Sequence, residues 1–228
     1  MAELHFSTDQ IKAEMNGMAD LAAEFLERMH SQRLREAAYS LGTALKTNGI
    51  WQIPQDHPLE TTTTDEREAG VLFGRLSFRW EVRAIAQKTF SLAGNASTTI
   101  EIHNLDSTDV PPLSWNTDVG GSGHPGCRLH MQFRSNGKSA EIPRFPSILL
   151  TPVDCLDFLL GELFQEKWTK HQYDRRMQTA GWTQGVRKRV CHLLRKKAEC
   201  AEQSSGVTPW VTLKIWNFEE PRLTLGND

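Results

Sequence analysis

The residues best suited to chemistry in this sequence are two histidines on segments that alternate between polar and apolar side chains. His103 follows Ile102, and His130 follows Leu129. Histidine titrates near neutral pH, so it serves as a general acid or base and as a metal ligand. If the two segments are neighbouring strands in register, the imidazoles lie about 5 Å apart on one face of a sheet. The pattern therefore predicts a polar sheet face with a candidate site.

Arginines alternate with apolar residues in the same part of the chain and join the histidines on this predicted face. The candidate polar sheet face consists of Arg79, Arg83, His103, Arg128, His130 and Arg134. Histidines beside arginines bind phosphate or perform acid–base work, and His124 or Asp106 from the intervening loop would extend the pair towards a metal site. A sheet face covered by solvent or by a partner gives the same pattern. Because spacing fixes no third ligand, the sequence predicts neither a bound metal nor a cofactor.

A basic segment over residues 170–197 is the second candidate, since Asp174 is its only acid. The residues predicted to contact nucleic acid or a partner are Arg175, Arg176, Trp182, Arg187, Lys188 and Arg189. Basic side chains neutralise phosphates, and an aromatic ring among them stacks on a base. The net charge of −2 requires an excess of acids in the remaining chain, and such segregated charge equally suits docking to an acidic protein. A solvated helix face is the structural alternative.

Several function classes lack their signatures in this sequence. It contains no phosphate-binding loop, no glycine-rich dinucleotide motif, no H-E-x-x-H pair and no G-x-S-x-G elbow. No apolar run approaches the roughly 18–20 residues of a membrane span, and the N-terminus lacks the pattern of a secretion signal. The four cysteines form no C-x-x-C pair, so we expect free thiols in a reducing compartment, a cytoplasmic location and no membrane contact.

The N-terminal part of the chain predicts helices. Apolar residues recur at steps of three and four over residues 11–29 and again over residues 34–45, which indicates a helical hairpin or one bent helix. Asn48-Gly49 is a helix terminator, and Ser7 with Gln10 has the spacing of a capping box. Residues 54–68 are polar and contain two prolines, which predicts a linker. We therefore expect a helical arm at 1–53 and a domain at 69–228, with one continuous domain over 1–228 as the alternative.

The middle and C-terminal parts of the chain predict a sheet followed by helices. The predicted strands cover residues 76–84, 88–93, 97–104, 127–134 and 211–216. Turns are expected at Gly94-Asn95 and Asn136-Gly137, and residues 105–126 predict one long loop. A helix should begin at Thr151-Pro152, and another should lie within the basic segment. This order indicates an α+β fold, with a mainly antiparallel sheet on which N-terminal and C-terminal helices pack.

Two functions are compatible with these patterns. The first is a non-catalytic binding or adaptor subunit of a larger intracellular assembly, with the basic helix as a candidate contact for nucleic acid. Its partner would be another protein or a second copy of the chain. The alternative is a metal-dependent phosphoesterase or nuclease that uses the strand histidines, since a bound metal lowers the pKa of its water. The sequence leaves open whether the protein is an enzyme.

Overall fold

A computed structural model describes residues 5–66, 68, 70–107, 110–119, 129–135, 138–139, 145–146, 150–202 and 224–225 of the chain. The helices are α1 (Thr8–Leu21), α2 (His30–Lys46), α3 (Pro152–Asp174) and α4 (Arg176–Glu202). The strands are β1 (His5–Ser7), β2 (Ile50–Ile53), β3 (Leu59–Glu60), β4 (Leu72–Ala86), β5 (Thr89–Asn104), β6 (Leu113–Val119), β7 (Leu129–Ser135), β8 (Lys138–Ser139), β9 (Phe145–Pro146) and β10 (Thr224–Leu225).

The sheet is built around the long antiparallel hairpin of β4 and β5. Strands β2 and β3 pair with the outer edge of β4. On the other side, β1 and β6 pair with successive parts of β5, and β7 continues the sheet beyond β6. All of these pairings are antiparallel, while β1 and β10 pair in parallel. The prediction of an α+β fold with a mainly antiparallel sheet is confirmed.

The burial of strand β4 alternates as predicted over residues 78–83, but Ser77 is buried and Ala84 is exposed, contrary to the predicted pattern. Leu76, Phe78 and Trp80 are buried, whereas Arg79 and Arg83 are exposed. Successive side chains of a strand point to opposite faces, so the apolar set lines the core and the charged set lies on the other face. The hydrophobic core is one buried cluster that joins residues of α1, α2, the sheet and α3.

The turn predicted at Gly94-Asn95 is wrong, because both residues lie inside the continuous strand β5. Trp80 pairs with Ala96 and Val82 pairs with Leu92, so residues 93–95 lie opposite Glu81 alone. This mismatch is a β-bulge, which a local sequence pattern cannot distinguish from a turn. A Cβ atom on Gly94 would overlap the carboxylate at the flexible end of the Glu81 side chain, so a larger residue there would displace that carboxylate.

The predicted long loop over residues 105–126 also needs correction, since it contains β6. Ser114, Trp115, Asn116 and Thr117 of this strand are buried between β5 and β7. Prolines and glycines lie on either side of this strand, so its short apolar alternation was interpreted as part of a loop. The predicted strand at 127–134 corresponds to β7, whereas the turn at Asn136-Gly137 and the strand at 211–216 lie outside the described residues.

The N-terminal helices form the hairpin that was one of the two expected arrangements, with α1 packed against α2. Helix α1 is shorter than the pattern over residues 11–29 predicts, since it ends at Leu21 and Met29 has a φ of 77°. Helix α2 ends at Lys46, just before Asn48 with its φ of 47°. The Ser7 hydroxyl accepts a hydrogen bond from the backbone N–H of Gln10 at 3.3 Å, which is half of the predicted capping box.

Part of the predicted linker over residues 54–68 pairs with the sheet. It includes β3, whose Leu59 is buried and pairs with Leu76 of β4. The backbone N–H of Thr61 donates to the carbonyl of Gly74 at 2.9 Å.

Helix α3 begins as predicted, with Thr151 as its N-cap and Pro152 in its first turn. The Thr151 hydroxyl accepts from the backbone N–H of Asp154 at 3.3 Å, and the Asp154 carboxylate accepts from the backbone N–H of Thr151 at 2.8 Å. These two bonds complete a reciprocal capping box. In the described part of the chain, no helix is both long enough and apolar enough to cross a membrane.

Candidate docking surface and buried ionic cluster

His103 and His130 do not lie opposite each other on adjacent strands, so they do not form the predicted pair. Strand β6 lies between β5, which contains His103, and β7, which contains His130. His130 pairs with Asp118, and Asp118 pairs with Ser97. Ser97 lies six residues before His103 on β5, which is about 20 Å along the strand. The expected approach of about 5 Å is therefore not formed.

His103 instead has partners on its own side of the sheet. Its imidazole stacks on the ring of Phe73 with centroids 4.9 Å apart, and its Nε2 lies 3.1 Å from the Glu101 carboxylate. The guanidinium of Arg75 lies over the same Phe73 ring and donates to Glu60 at 2.7 Å. This end of the sheet face is occupied by contacts within the chain.

The arginines of the predicted polar sheet face lie on different strands. Arg79 is exposed and pairs with Glu81 at 2.9 Å, and Arg83 is exposed near the far end of β4. Arg134 pairs with Ser114 in the strand register, whereas Arg128 lies outside the described residues. Within the described residues, no group of three histidine, cysteine or acidic side chains is arranged to hold a metal.

The basic segment is divided by the faces of α4. Arg189 is only 4% exposed, although Arg187 and Lys188 immediately before it are exposed. The buried face also contains Leu193, and it packs against α1. The guanidinium of Arg189, one of the residues predicted to contact nucleic acid or a partner, therefore lies inside the protein.

Arg189 forms a buried ionic cluster with Glu14 of α1 and Asp154 of α3. Its Nη1 donates to both carboxylate oxygens of Glu14 at 2.6 Å. Its Nη2 donates to the carboxylate oxygens of Asp154 at 2.7 and 2.9 Å and to the hydroxyl of Thr151 at 3.2 Å. The side chain of Arg189 thus joins α4 to α1 and to the capping box of α3. Arginine suits this position, because its planar donors serve two carboxylates at once.

The charges of the cluster do not balance when both acids are ionised, since one cation faces two carboxylates. Burial raises the pKa of Glu14, while Arg189 and the amide of Gln10 act in the opposite direction. Burial alone would lower the pKa of Arg189, but the Asp154 and Glu14 carboxylates offset this effect and raise it. The guanidinium consequently stays charged, and Glu14 is the carboxyl group in which burial favours the protonated form.

Glu14 and Asp154 were not predicted as partners of Arg189, although the sequence contains a signal for Glu14. Glu14 lies three residues after Ile11 and four before Met18, inside the apolar stripe of α1. Arg189 likewise lies four residues before Leu193 on the buried face of α4. A charged residue within an apolar helical stripe must find a partner when it is buried. Two such residues of opposite charge would have predicted the contact.

The other predicted contact residues lie at the junction of α3 and α4 and along α4. Arg175 pairs with Glu24 at 2.6 Å, and the guanidinium of Arg176 lies over the exposed ring of Tyr173 at 4.2 Å. Trp182 is partly buried against Gly17 of α1, where its ring leaves no room for a Cβ atom. Its indole is therefore a packing element between the two helices.

The outward face of α4 is the surface that these contacts leave exposed, and we call it the α4 stripe. It consists of Met177, Gln184, Arg187, Lys188, Cys191, Leu194 and Arg195. The steps between its members are those of one helix face, so the stripe is about 27 Å long. Met177 is 84% exposed and Leu194 is 51% exposed. Arg187, Lys188 and Arg195 form no ion pair with the residues that the structure describes.

A cleft of about 420 Å³ lies between α1 and α4, beside the α4 stripe. Its lining includes Gln10, Ala13, Lys88, Trp182, Gln184 and Lys188. Lys88 is paired with Asp9 at 2.9 Å, and Glu14 in the wall is paired with Arg189. Lys188 is thus the lining cation with no carboxylate partner among the described residues.

Comparisons of the chain with models of protein families, with curated proteins and with solved structures find no match. Its class is therefore the one that its own fold defines, an α+β protein with a mainly antiparallel sheet.

Proposed function

We propose that the protein is a non-catalytic binding subunit, an adaptor in a larger cytoplasmic assembly, and that it docks through the α4 stripe. The observation that supports this proposal is that one helix face combines exposed apolar side chains with cations that have no ion-pair partner among the described residues. Arg195 follows Leu194 directly, Lys188 lies almost two turns before it, and Met177 extends the surface. Interfaces are enriched in arginine and methionine, so a helix face that exposes these side chains suits docking to a partner.

The ionic cluster supports the same proposal from the inside of the protein. Arg189 fixes α4 on α1 and α3 through buried contacts, so the outward face of the helix is held in a defined position. A rigid surface loses less entropy when a partner binds than a flexible one does. The alternative, a metal-dependent phosphoesterase or nuclease, depended on His103 and His130 lying close together. It is less well supported, because β6 separates the strands that contain them.

A charge-reversal experiment tests the docking role. Lys188→Glu/Arg195→Glu is compared with Arg28→Glu/Lys46→Glu, which makes the same change in net charge at two exposed cations outside α4. Each variant replaces the wild-type chain in the source cells, and proteins that copurify with it are quantified by mass spectrometry. We expect the stripe variant to lose a stoichiometric partner by about tenfold or more, because charges at an interface govern association.

The control variant should retain the same partner at the wild-type level. Circular dichroism and urea unfolding establish that both variants are folded. If the stripe variant keeps every stoichiometric partner of the wild-type chain, or if the wild-type chain has none, the proposed function is wrong.

A further inference from the structure

The cationic part of the α4 stripe is short and has acidic residues at its end. Arg187 and Arg195 are separated by eight residues, which is about 12 Å along a helix. Beyond Arg195, Glu199 and Glu202 are exposed, and Glu199 pairs with Lys196 at 2.8 Å. A nucleic acid has a phosphate at every step, so a strand that continued along α4 would meet these carboxylates. A short acidic segment with nonacidic flanks fits the stripe better than a continuous polyanion does.

Apolar exposure points to the same kind of partner. Leu194 lies between the cations and is 51% exposed, and Met177 further along the stripe is 84% exposed. Phosphate groups gain nothing from these side chains, whereas an amphipathic helix buries its own apolar residues against them. The combination of cations and apolar side chains is therefore complementary to a peptide that is both acidic and apolar.

The cleft between α1 and α4 adds an anchoring position at one end of this surface. Gln184 and Lys188 line the cleft and also belong to the stripe. The charges of Lys88 and Glu14 in its wall are satisfied by Asp9 and Arg189, so Lys188 is the cation at the cleft that remains available. A pocket beside a flat helix face is the place where an interface residue inserts and is desolvated.

We propose that the α4 stripe and the cleft together bind an acidic amphipathic helix of a partner protein. Carboxylates of that helix pair with Lys188 and Arg195, an apolar residue packs on Leu194, and one side chain inserts into the cleft beside Ala13. This inference rests on the proposed docking role of the stripe and specifies the chemistry of its partner.

The test begins with a phage-displayed library of random 16-residue peptides, selected on the immobilised full-length chain. Enriched peptides are synthesised with a fluorophore, and their affinities are measured by anisotropy. A 20-nucleotide single-stranded RNA serves as the second probe. We expect enriched peptides to combine aspartate or glutamate with leucine or phenylalanine at helical spacing. Lys188→Glu/Arg195→Glu should weaken their binding about tenfold or more, with a steep dependence on salt.

The contribution of the cleft is tested with two matched variants. Ala13→Phe fills the cleft, whereas Ala23→Phe makes the same change at another exposed alanine near α1 that does not line it. We expect Ala13→Phe to weaken peptide binding about fivefold or more and Ala23→Phe to leave it unchanged, which corresponds to a difference of about 1 kcal/mol. Equal affinities of the two variants would overturn the anchoring role of the cleft.

Two further results would overturn the identity of the partner. The first is enrichment of peptides without acidic residues, or of peptides that bind the stripe variant as well as wild type. The second is binding of the RNA through Lys188 and Arg195 when no peptide is enriched. In that case the docking role of the stripe survives and the partner is a nucleic acid. Failure of the docking role itself is recognised separately, by unchanged copurification of partners with the stripe variant in cells.

Discussion

Two sets of charged side chains in this protein have the same chemistry and opposite surroundings. In the ionic cluster, Arg189 and Glu14 pair at 2.6 Å with side chains that are 2% and 0% exposed. On the sheet face, Arg79 and Glu81 pair at 2.9 Å with side chains that are 50% and 35% exposed. Removing one partner of a buried pair leaves an uncompensated charge, whereas water replaces a lost partner at the surface. The two regions therefore contribute very differently to stability despite similar distances.

The same contrast exists within α4, between neighbours in sequence. Arg187 and Lys188 are exposed, and Arg189 is buried. A helix turns by about 100° per residue, so one or two positions are enough to move a side chain from solvent to the core. The run of three basic residues therefore contains a structural cation beside two cations that remain available for a partner.

The largest expected effect is that of Arg189→Gln, which leaves Glu14 and Asp154 buried without their cation. We expect the free energy of unfolding to fall by about 3–5 kcal/mol, because an unpaired buried charge is strongly unfavourable. Urea unfolding measures it, with Arg187→Gln as the matched control that should change stability by less than about 0.5 kcal/mol. Equal free energies of unfolding for the two variants would mean that the buried cluster stabilises the protein no more than an exposed arginine does.

A smaller loss is expected for Gly17→Ala, which tests the packing that holds α4 beside the cluster. The new Cβ would overlap the Trp182 ring, so we expect destabilisation of about 1–3 kcal/mol and a change in tryptophan fluorescence. Gly42→Ala in α2 is the control, since the nearest atom to its Cβ is the flexible end of Lys12 at 3.4 Å. Alanine at Gly42 should instead stabilise the helix by up to about 1 kcal/mol. Stabilisation by both substitutions would contradict the packing of Trp182.

Glu14→Gln should cost much less than the loss of Arg189, at most about 1 kcal/mol near neutral pH, because Asp154 still balances the guanidinium. Burial raises the folded-state pKa of Glu14 above its ordinary value of 4.5. The protonated form therefore favours folding, and this contribution is complete below pH 4.5 and disappears as pH rises through the folded-state pKa. Urea unfolding across this range should show wild type losing stability relative to Glu14→Gln as pH rises. A gain in the stability of wild type relative to Glu14→Gln as pH rises would contradict the raised pKa of Glu14.

The smallest effect is expected for Arg79→Gln on the sheet face. Its pair with Glu81 is exposed, so the free energy of unfolding should fall by about 0–1 kcal/mol. Urea unfolding at low and high salt measures this loss, which salt should reduce further. A loss as large as that of Arg189→Gln would remove the contrast between the two regions.

Local sequence patterns were enough to predict several elements. The alternation from Leu76 to Val82 predicts β4, Thr151-Pro152 predicts the start of α3, and Asn48 marks the end of α2. Each of these signals depends on residues close together in the chain. Patterns of this kind specify an element but do not specify its neighbours.

The remaining features depend on contacts between distant residues. The order of strands separates His103 from His130, and the bulge at Gly94 depends on Glu81 across the hairpin. Positive charge alone did not predict that Arg189 is buried, since its burial follows from its position relative to Leu193 and from Glu14 on another helix. Charge identifies candidates for a site, and only packing decides which of them are exposed.

The division of α4 into a buried cation and exposed cations is tested most directly by chemical modification of arginine in the native protein. The chain is treated briefly with phenylglyoxal, and the extent of modification at each arginine is determined by tandem mass spectrometry. Arg187 and Arg195 should react rapidly, while Arg189 should be protected until urea unfolds the protein. Reaction of Arg189 at the rate of Arg187 under native conditions would contradict the buried cluster and the orientation of the α4 stripe that follows from it.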